Sequence, residues 1–116
     1  YALAKKHGIK VAWGTDILFS AENLAGQTQW LTKMVRWYTP AETLRMATAD
    51  NAELLALSGE RSPYPGKLGV VEEGALTDLL LVDGNPPANI KLVENPARNF
   101  VVIMKDGKVY KNTLRN

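Results

Sequence analysis

The spacing of apolar residues changes character once along the chain, near residue 60. The opening stretch Tyr1-Ala2-Leu3-Ala4-Lys5-Lys6-His7 reads as the last turns of a helix. Its cations gather at the negative end, and Gly8 stands just past the last helical residue. Ile9-Lys10-Val11-Ala12-Trp13 follows at once, a short and mostly apolar run of the kind found in a buried strand. A helix leading so directly into a buried strand is the grammar of an α/β unit.

Gly14-Thr15-Asp16 closes that strand, and residues 17–26 show no sustained period, so a loop is expected there. Over residues 28–38, Trp30, Leu31, Met34, Val35, Trp37 and Tyr38 recur at helical spacing. Thr39-Pro40-Ala41-Glu42 has the form of a capping box with proline at the first helical position, which starts a new helix. Leu44, Ala47, Ala52 and Leu55 continue its apolar face. A break is expected near Thr48, whose hydroxyl could cap a second short helix running through Asn51 and ending by Ser58-Gly59.

Residues 61–69 hold two prolines and two glycines and read as a linker or an ordered loop. Beyond them every signal is β. Leu79-Leu80-Leu81-Val82 is an apolar strand, Gly84-Asn85-Pro86-Pro87 a turn, and residues 100–104 a second strand. Asp106-Gly107 is a strong two-residue hairpin signal leading into residues 108–111. The fold class expected is therefore α/β followed by β, with segments 1–60 and 61–116. Two or three short strands do not make a stable sheet alone, and one strand with three helices does not make an α/β core. Both halves look short of partners. Tyr1 also begins inside a helical pattern, so either a processed chain or a piece of a longer protein is expected.

The chain has 116 residues, 46% apolar and 22% charged, the balance of a globular protein. A net charge of +2, with fourteen scattered Lys and Arg residues, does not make the basic stripe that nucleic acid requires. With no cysteine, disulfides, thiolate metal sites and cysteine nucleophiles are excluded. No apolar run is long enough to cross a bilayer, and a cytoplasmic setting is expected ahead of a secreted one.

Four motifs, in order and spanning nearly the whole chain, resemble the amidohydrolase superfamily, especially its imidazolonepropionase-like and metal-dependent Xaa-Pro dipeptidase-like members. Residues 9–16 look like the last barrel strand with its terminal metal-site aspartate. Thr39-Pro40-Ala41-Glu42-Thr43-Leu44, with Ala47-Thr48 and Asn51-Ala52, is similar to the helical segment after that strand. Pro65-Gly66-Lys67-Leu68-Gly69 with Glu73-Gly74-Ala75-Leu76-Thr77-Asp78-Leu79 resembles the family's glycine turn and following strand, though Leu76-Thr77 replaces the usual alanine before the aspartate. Val82-Asp83-Gly84-Asn85-Pro86 and residues 101–109 look like its closing hairpin.

The resemblance implies the C-terminal fragment of a TIM-barrel hydrolase: the last barrel strand and following helices in residues 1–60, and part of a composite β-sandwich in residues 61–116. The other barrel strands, the N-terminal sandwich strands and the family's histidine and bridging ligands would lie in a missing N-terminal part. It also implies a divalent metal, zinc above all, in the complete protein, with none held tightly by this chain alone. The substrate would be a small molecule or dipeptide whose C–N bond is hydrolysed.

Asp16 is the residue on which that chemistry would rest, as metal ligand and catalytic group. At the C-terminal end of a barrel strand it would face the active site. A carboxylate there can hold a divalent metal through oxygen, take a proton from the attacking water, and return it to the leaving amine. From Gly14-Thr15-Asp16 alone, a plain turn aspartate satisfying backbone amides is the commoner outcome; the surrounding register favours the metal role. His7, the only histidine, belongs to the wrong end of the strand and reads as a helix-end charge. Trp13, Trp30 and Trp37 read as core, with some of their apolar surface left exposed where partners are missing. Residues 17–27 would form a loop over the site, and Asp78, Asp83 and Asp106 read as turn and strand-edge carboxylates. The alternative is a non-catalytic module whose unpaired strand edges associate with another copy, giving a homo-oligomer.

Overall fold

The computed structural model describes residues 1–114, so the last two positions of the second segment lie outside it. Helix α1 (Ala2–Lys6) ends as its sequence requires. Gly8 takes φ +65°; its N–H donates to Lys5 O at 3.2 Å and that of Ile9 to Ala4 O at 2.9 Å, the paired closure of a Schellman motif. Residues 9–13 depart from expectation and form no strand among the described residues. A strand needs a neighbouring strand to pair with, and no described strand pairs with this segment; α5 lies alongside and bonds it through a side chain, as described below.

The stretch expected as loop contains one helical turn, α2 (Ala21–Ala25), started by Ser20, whose hydroxyl accepts the N–H of Asn23 at 3.2 Å. None of its residues is buried, so no apolar period marks it in the sequence. The single helix expected over residues 28–38 is instead α3 (Gln27–Thr32) tightening into a 3₁₀ turn, Lys33–Arg36. Leu31 and Met34 are buried, while Trp30 and Val35 are each 44% exposed.

The capping box is formed in full. Thr39 Oγ1 accepts the N–H of Glu42 at 3.2 Å, and Glu42 Oε2 accepts the N–H of Thr39 at 2.7 Å. They open α4 (Pro40–Ala47), which breaks at Thr48 before α5 (Ala49–Ala56). The break falls where expected, but Thr48 does not cap α5. Its hydroxyl donates back to Leu44 O at 2.9 Å, the competing bond open to any helical threonine. An Arg45–Asp50 ion pair of 3.0 Å straddles the break.

Three strands, β1 (Leu79–Val82), β2 (Phe100–Lys105) and β3 (Lys108–Asn112), form one antiparallel sheet in that order. Leu81 opposes Val102, and Met104 opposes Val109. Asp106 and Gly107 have φ +49° and +71°, the type I′ geometry that Asp-Gly favours. Between β1 and β2 lie a 3₁₀ turn, Ile90–Glu94, and a further helix, α6 (Pro96–Asn99), capped by Asn95.

The core draws on both sides of residue 60. Leu31, Ile90, Val93 and Phe100 are buried together, with Trp13, Leu44, Ala47, Val82 and Ile103 packed against them. Six apolar side chains are buried among the described residues, and Leu3, Phe19, Leu57 and Val71 lie largely in solvent. The radius of gyration is 15.1 Å, against about 13 Å for a compact domain near this length. This is a small α/β piece with more apolar surface than it covers itself.

Candidate active site

Asp16 follows directly on the segment that Asn51 holds. From α5, the Asn51 carboxamide oxygen accepts the N–H of Trp13 at 2.8 Å, and its amide nitrogen donates to Trp13 O at 2.8 Å. One side chain thus satisfies both polar groups of one residue, as an adjacent antiparallel strand would. Trp13 packs its ring on the core, so the segment is fixed by backbone and side chain together.

Past Trp13 the chain turns through Gly14 and Thr15. Thr15 Oγ1 accepts the N–H of Ile17 at 3.5 Å. Asp16 has φ +51°, a left-handed conformation that aspartate tolerates better than most residues. Its side chain is exposed, and its carboxylate enters no side-chain hydrogen bond or ion pair among the described residues.

The acidic groups of α4 and α5 are all ion-paired. Glu53 is paired with Lys10, and the Lys10 hydrogen bond holds its carboxyl below the usual range. Asp50 is paired with Arg45, and Glu42 with Lys5 at 2.9 Å. His7 is exposed at the end of α1, with residues 9–13 between it and the turn. Among the described residues no three His, Cys, Asp or Glu side chains come together as a metal cluster. Asp16 suits one coordination position, through a hard carboxylate oxygen, and the remaining ligands would have to come from elsewhere.

Of the three tryptophans read as core, Trp13 is core, whereas Trp37 is half-buried beneath the Tyr1 ring at 5.0 Å. Trp30 is exposed, with the Lys33 ammonium 3.7 Å from its ring centre. Asn51 was not distinguished in the sequence as a site residue. A side-chain amide bound to a distant backbone leaves no periodic signal. In the loop ahead of α2, Leu18 and Phe19 project into solvent, Phe19 at φ +61°.

Comparison with known proteins defines the class. The amidohydrolase family profile matches residues 2–112, and the chain belongs to that family. It is 34% identical over 113 residues to a 5-methylthioadenosine/S-adenosylhomocysteine deaminase of Syntrophobacter fumaroxidans, covering 90% of this chain and 24% of that protein. A crystal structure of an amidohydrolase superposes with a TM-score of 0.80 and 31% identity, over 96% of this chain and 25% of the other. A prolidase crystallised with N-methylphosphonate-L-proline gives 0.76 and 28%, over 94% and 24%. The chain thus spans about a quarter of the length of the relatives it matches. No helix among the described residues is long and apolar enough to cross a membrane.

Proposed function

We propose that this chain is the C-terminal portion of a metal-dependent hydrolase acting on a C–N bond of an amide, cyclic amide or Xaa-Pro dipeptide, and that Asp16 is its catalytic carboxylate. In this reading residues 1–60 complete a TIM barrel, and residues 61–116 contribute strands to a composite β-sandwich. A missing N-terminal part supplies the other ligands. The observation that carries it is the Asp16 carboxylate itself, exposed at the turn after residues 9–13 and engaged in no side-chain hydrogen bond or ion pair among the described residues.

A divalent metal, zinc above all, would supply a more acidic water and polarise the scissile carbonyl. Asp16 would hold one coordination position with one carboxylate oxygen. With the other it takes the proton of the attacking water and delivers it to the departing nitrogen, which leaves poorly as an anion. The names of the relatives support C–N hydrolysis as the reaction class, since a deaminase and a prolidase both cleave such bonds.

The test uses the full-length protein with a panel of Xaa-Pro dipeptides, cyclic amides and amino-substituted heterocycles. Chelation should abolish hydrolysis and zinc restore it. Asp16→Asn should lower turnover by about 10²–10⁴-fold with unchanged circular dichroism. Full turnover in that variant removes Asp16 from the mechanism.

A second reading, an association module, is favoured by the free outer edge of β1, where Leu80 and Leu81 are exposed. Light scattering of this chain decides it: a monomer at all concentrations excludes self-association.

A further inference from the structure

We infer that Asn51 is the positioning residue of the Asp16 site, fixing the register of the segment that delivers the carboxylate. The inference rests on the reading of Asp16 as a metal ligand. The Asn51 carboxamide grips this segment from α5, through two bonds of 2.8 Å to both polar backbone groups of Trp13 in a half-buried setting. Slipping the segment by one residue would offer the backbone of Ala12 or Gly14 to the carboxamide. Asp16 would then move by up to the 3.8 Å spacing of successive Cα atoms. Displacements of about 1 Å already disable catalytic constellations.

Asn51 is itself well anchored. It sits in the first turn of α5, beside Asp50, which the Arg45 pair ties to α4. On the next residue, Ala52, the loop at Gly69 packs closely. The carboxamide is also the group best suited to the task. It carries a donor and an acceptor in one plane, matching a peptide's N–H and C=O. Aspartate at the same position would keep the acceptor, lose the donor, and set a negative charge against Trp13 O.

The experiment measures Co²⁺ affinity of the metal-stripped full-length protein, by competition with a chromophoric chelator, in a double-mutant cycle. Asn51→Ala should weaken Co²⁺ binding by about 10-fold or more, the usual loss when the support of a ligand is removed. Asn51→Asp should fall between it and the wild type. In an Asp16→Ala background the loss caused by either Asn51 variant should vanish, because Asn51 acts through Asp16. A purely structural asparagine would weaken binding equally in both backgrounds, which overturns the inference. So does wild-type affinity in a folded Asn51→Ala protein. If Asn51→Ala fails to fold, the isosteric Asn51→Asp carries the cycle. Unchanged affinity in Asp16→Ala alone overturns the ligand reading itself, and with it this inference, so the two failures are told apart.

Discussion

Asp78 closes a turn that lies 28 residues further along the chain: its Oδ1 accepts the backbone N–H of Asp106 at 2.6 Å. Beside it, Thr77 O accepts the N–H of Gly107 at 3.1 Å, and Lys105 Nζ lies 3.9 Å from Asp78 Oδ2. The residues just ahead of β1 thus hold the tip of the β2–β3 hairpin and join all three strands at one corner. Asp78→Ala should lower stability by about 1–2 kcal/mol, the scale of a partly exposed hydrogen bond to a charged group. Asp78→Asn, which keeps an accepting oxygen, should cost less. Urea midpoints at constant m decide it; equal losses in the two variants would show that the hydrogen bond contributes nothing.

What the sequence disclosed and what it hid divide on a physical line. Local codes were readable: the Thr39–Glu42 capping box, the Gly8 helix stop and the Asp106-Gly107 turn depend on residues a few positions apart. So was Asp16 as the end of an apolar run before a turn. Long-range partners were not. Residues 9–13 have the composition of a buried strand, but no described strand pairs with them, and the Asn51 side chain that bonds Trp13 lies 38 residues away. Apolar spacing also overstated burial for Val35, which lies in the 3₁₀ turn after Thr32, while Trp30 keeps the exposed surface expected where partners are missing.

Gly69 and Gly8 separate two costs that glycine usually hides together. Both have positive φ, +72° and +65°. A Cβ at Gly69 would stand 2.5 Å from Thr48 O and 2.9 Å from the Ala52 Cβ, while one at Gly8 would meet nothing within 4 Å. Gly8→Ala should therefore cost only the conformational penalty, about 1–2 kcal/mol. Gly69→Ala should add an overpacking cost of about 1–3 kcal/mol, because the atoms it meets are a backbone carbonyl and a helix methyl that do not swing aside. Chemical denaturation of both variants tests this. Equal losses would mean that the loop moves off α5 freely.

Thr43 is fully buried in α4, and its hydroxyl has no hydrogen-bond partner among the described residues. Desolvating a hydroxyl without repayment costs about 1–3 kcal/mol. Thr43→Val keeps the shape and removes the orphaned group, so it should leave this chain as stable or raise its stability by about 1 kcal/mol. Thr43→Ala, which opens a small void, should lower it. A Thr43→Val protein clearly less stable than wild type would show that the hydroxyl has a partner in solution.

Glu42 ties the capping box to α1 and gives the fold an acid-sensitive joint. Its carboxyl is held down to about 2, from 4.5, chiefly by the Thr39 N–H and next by the Lys5 ammonium. The folded state therefore binds this proton less readily than the unfolded chain. The resulting stabilisation is fully present above pH 4.5 and drains away as the pH falls toward 2. Compared with Glu42→Gln, the wild type should keep a constant advantage at neutral pH and lose it across that window. Lys5→Ala should move the loss to higher pH, since one of the two groups lowering the carboxyl is gone. Added salt should weaken only the Lys5 share, because the Thr39 bond is short and direct. Denaturation midpoints of the three proteins from pH 7 down to 2 provide the check. An advantage over Glu42→Gln that persists undiminished at the acid end would mean that the carboxylate is not what closes this cap.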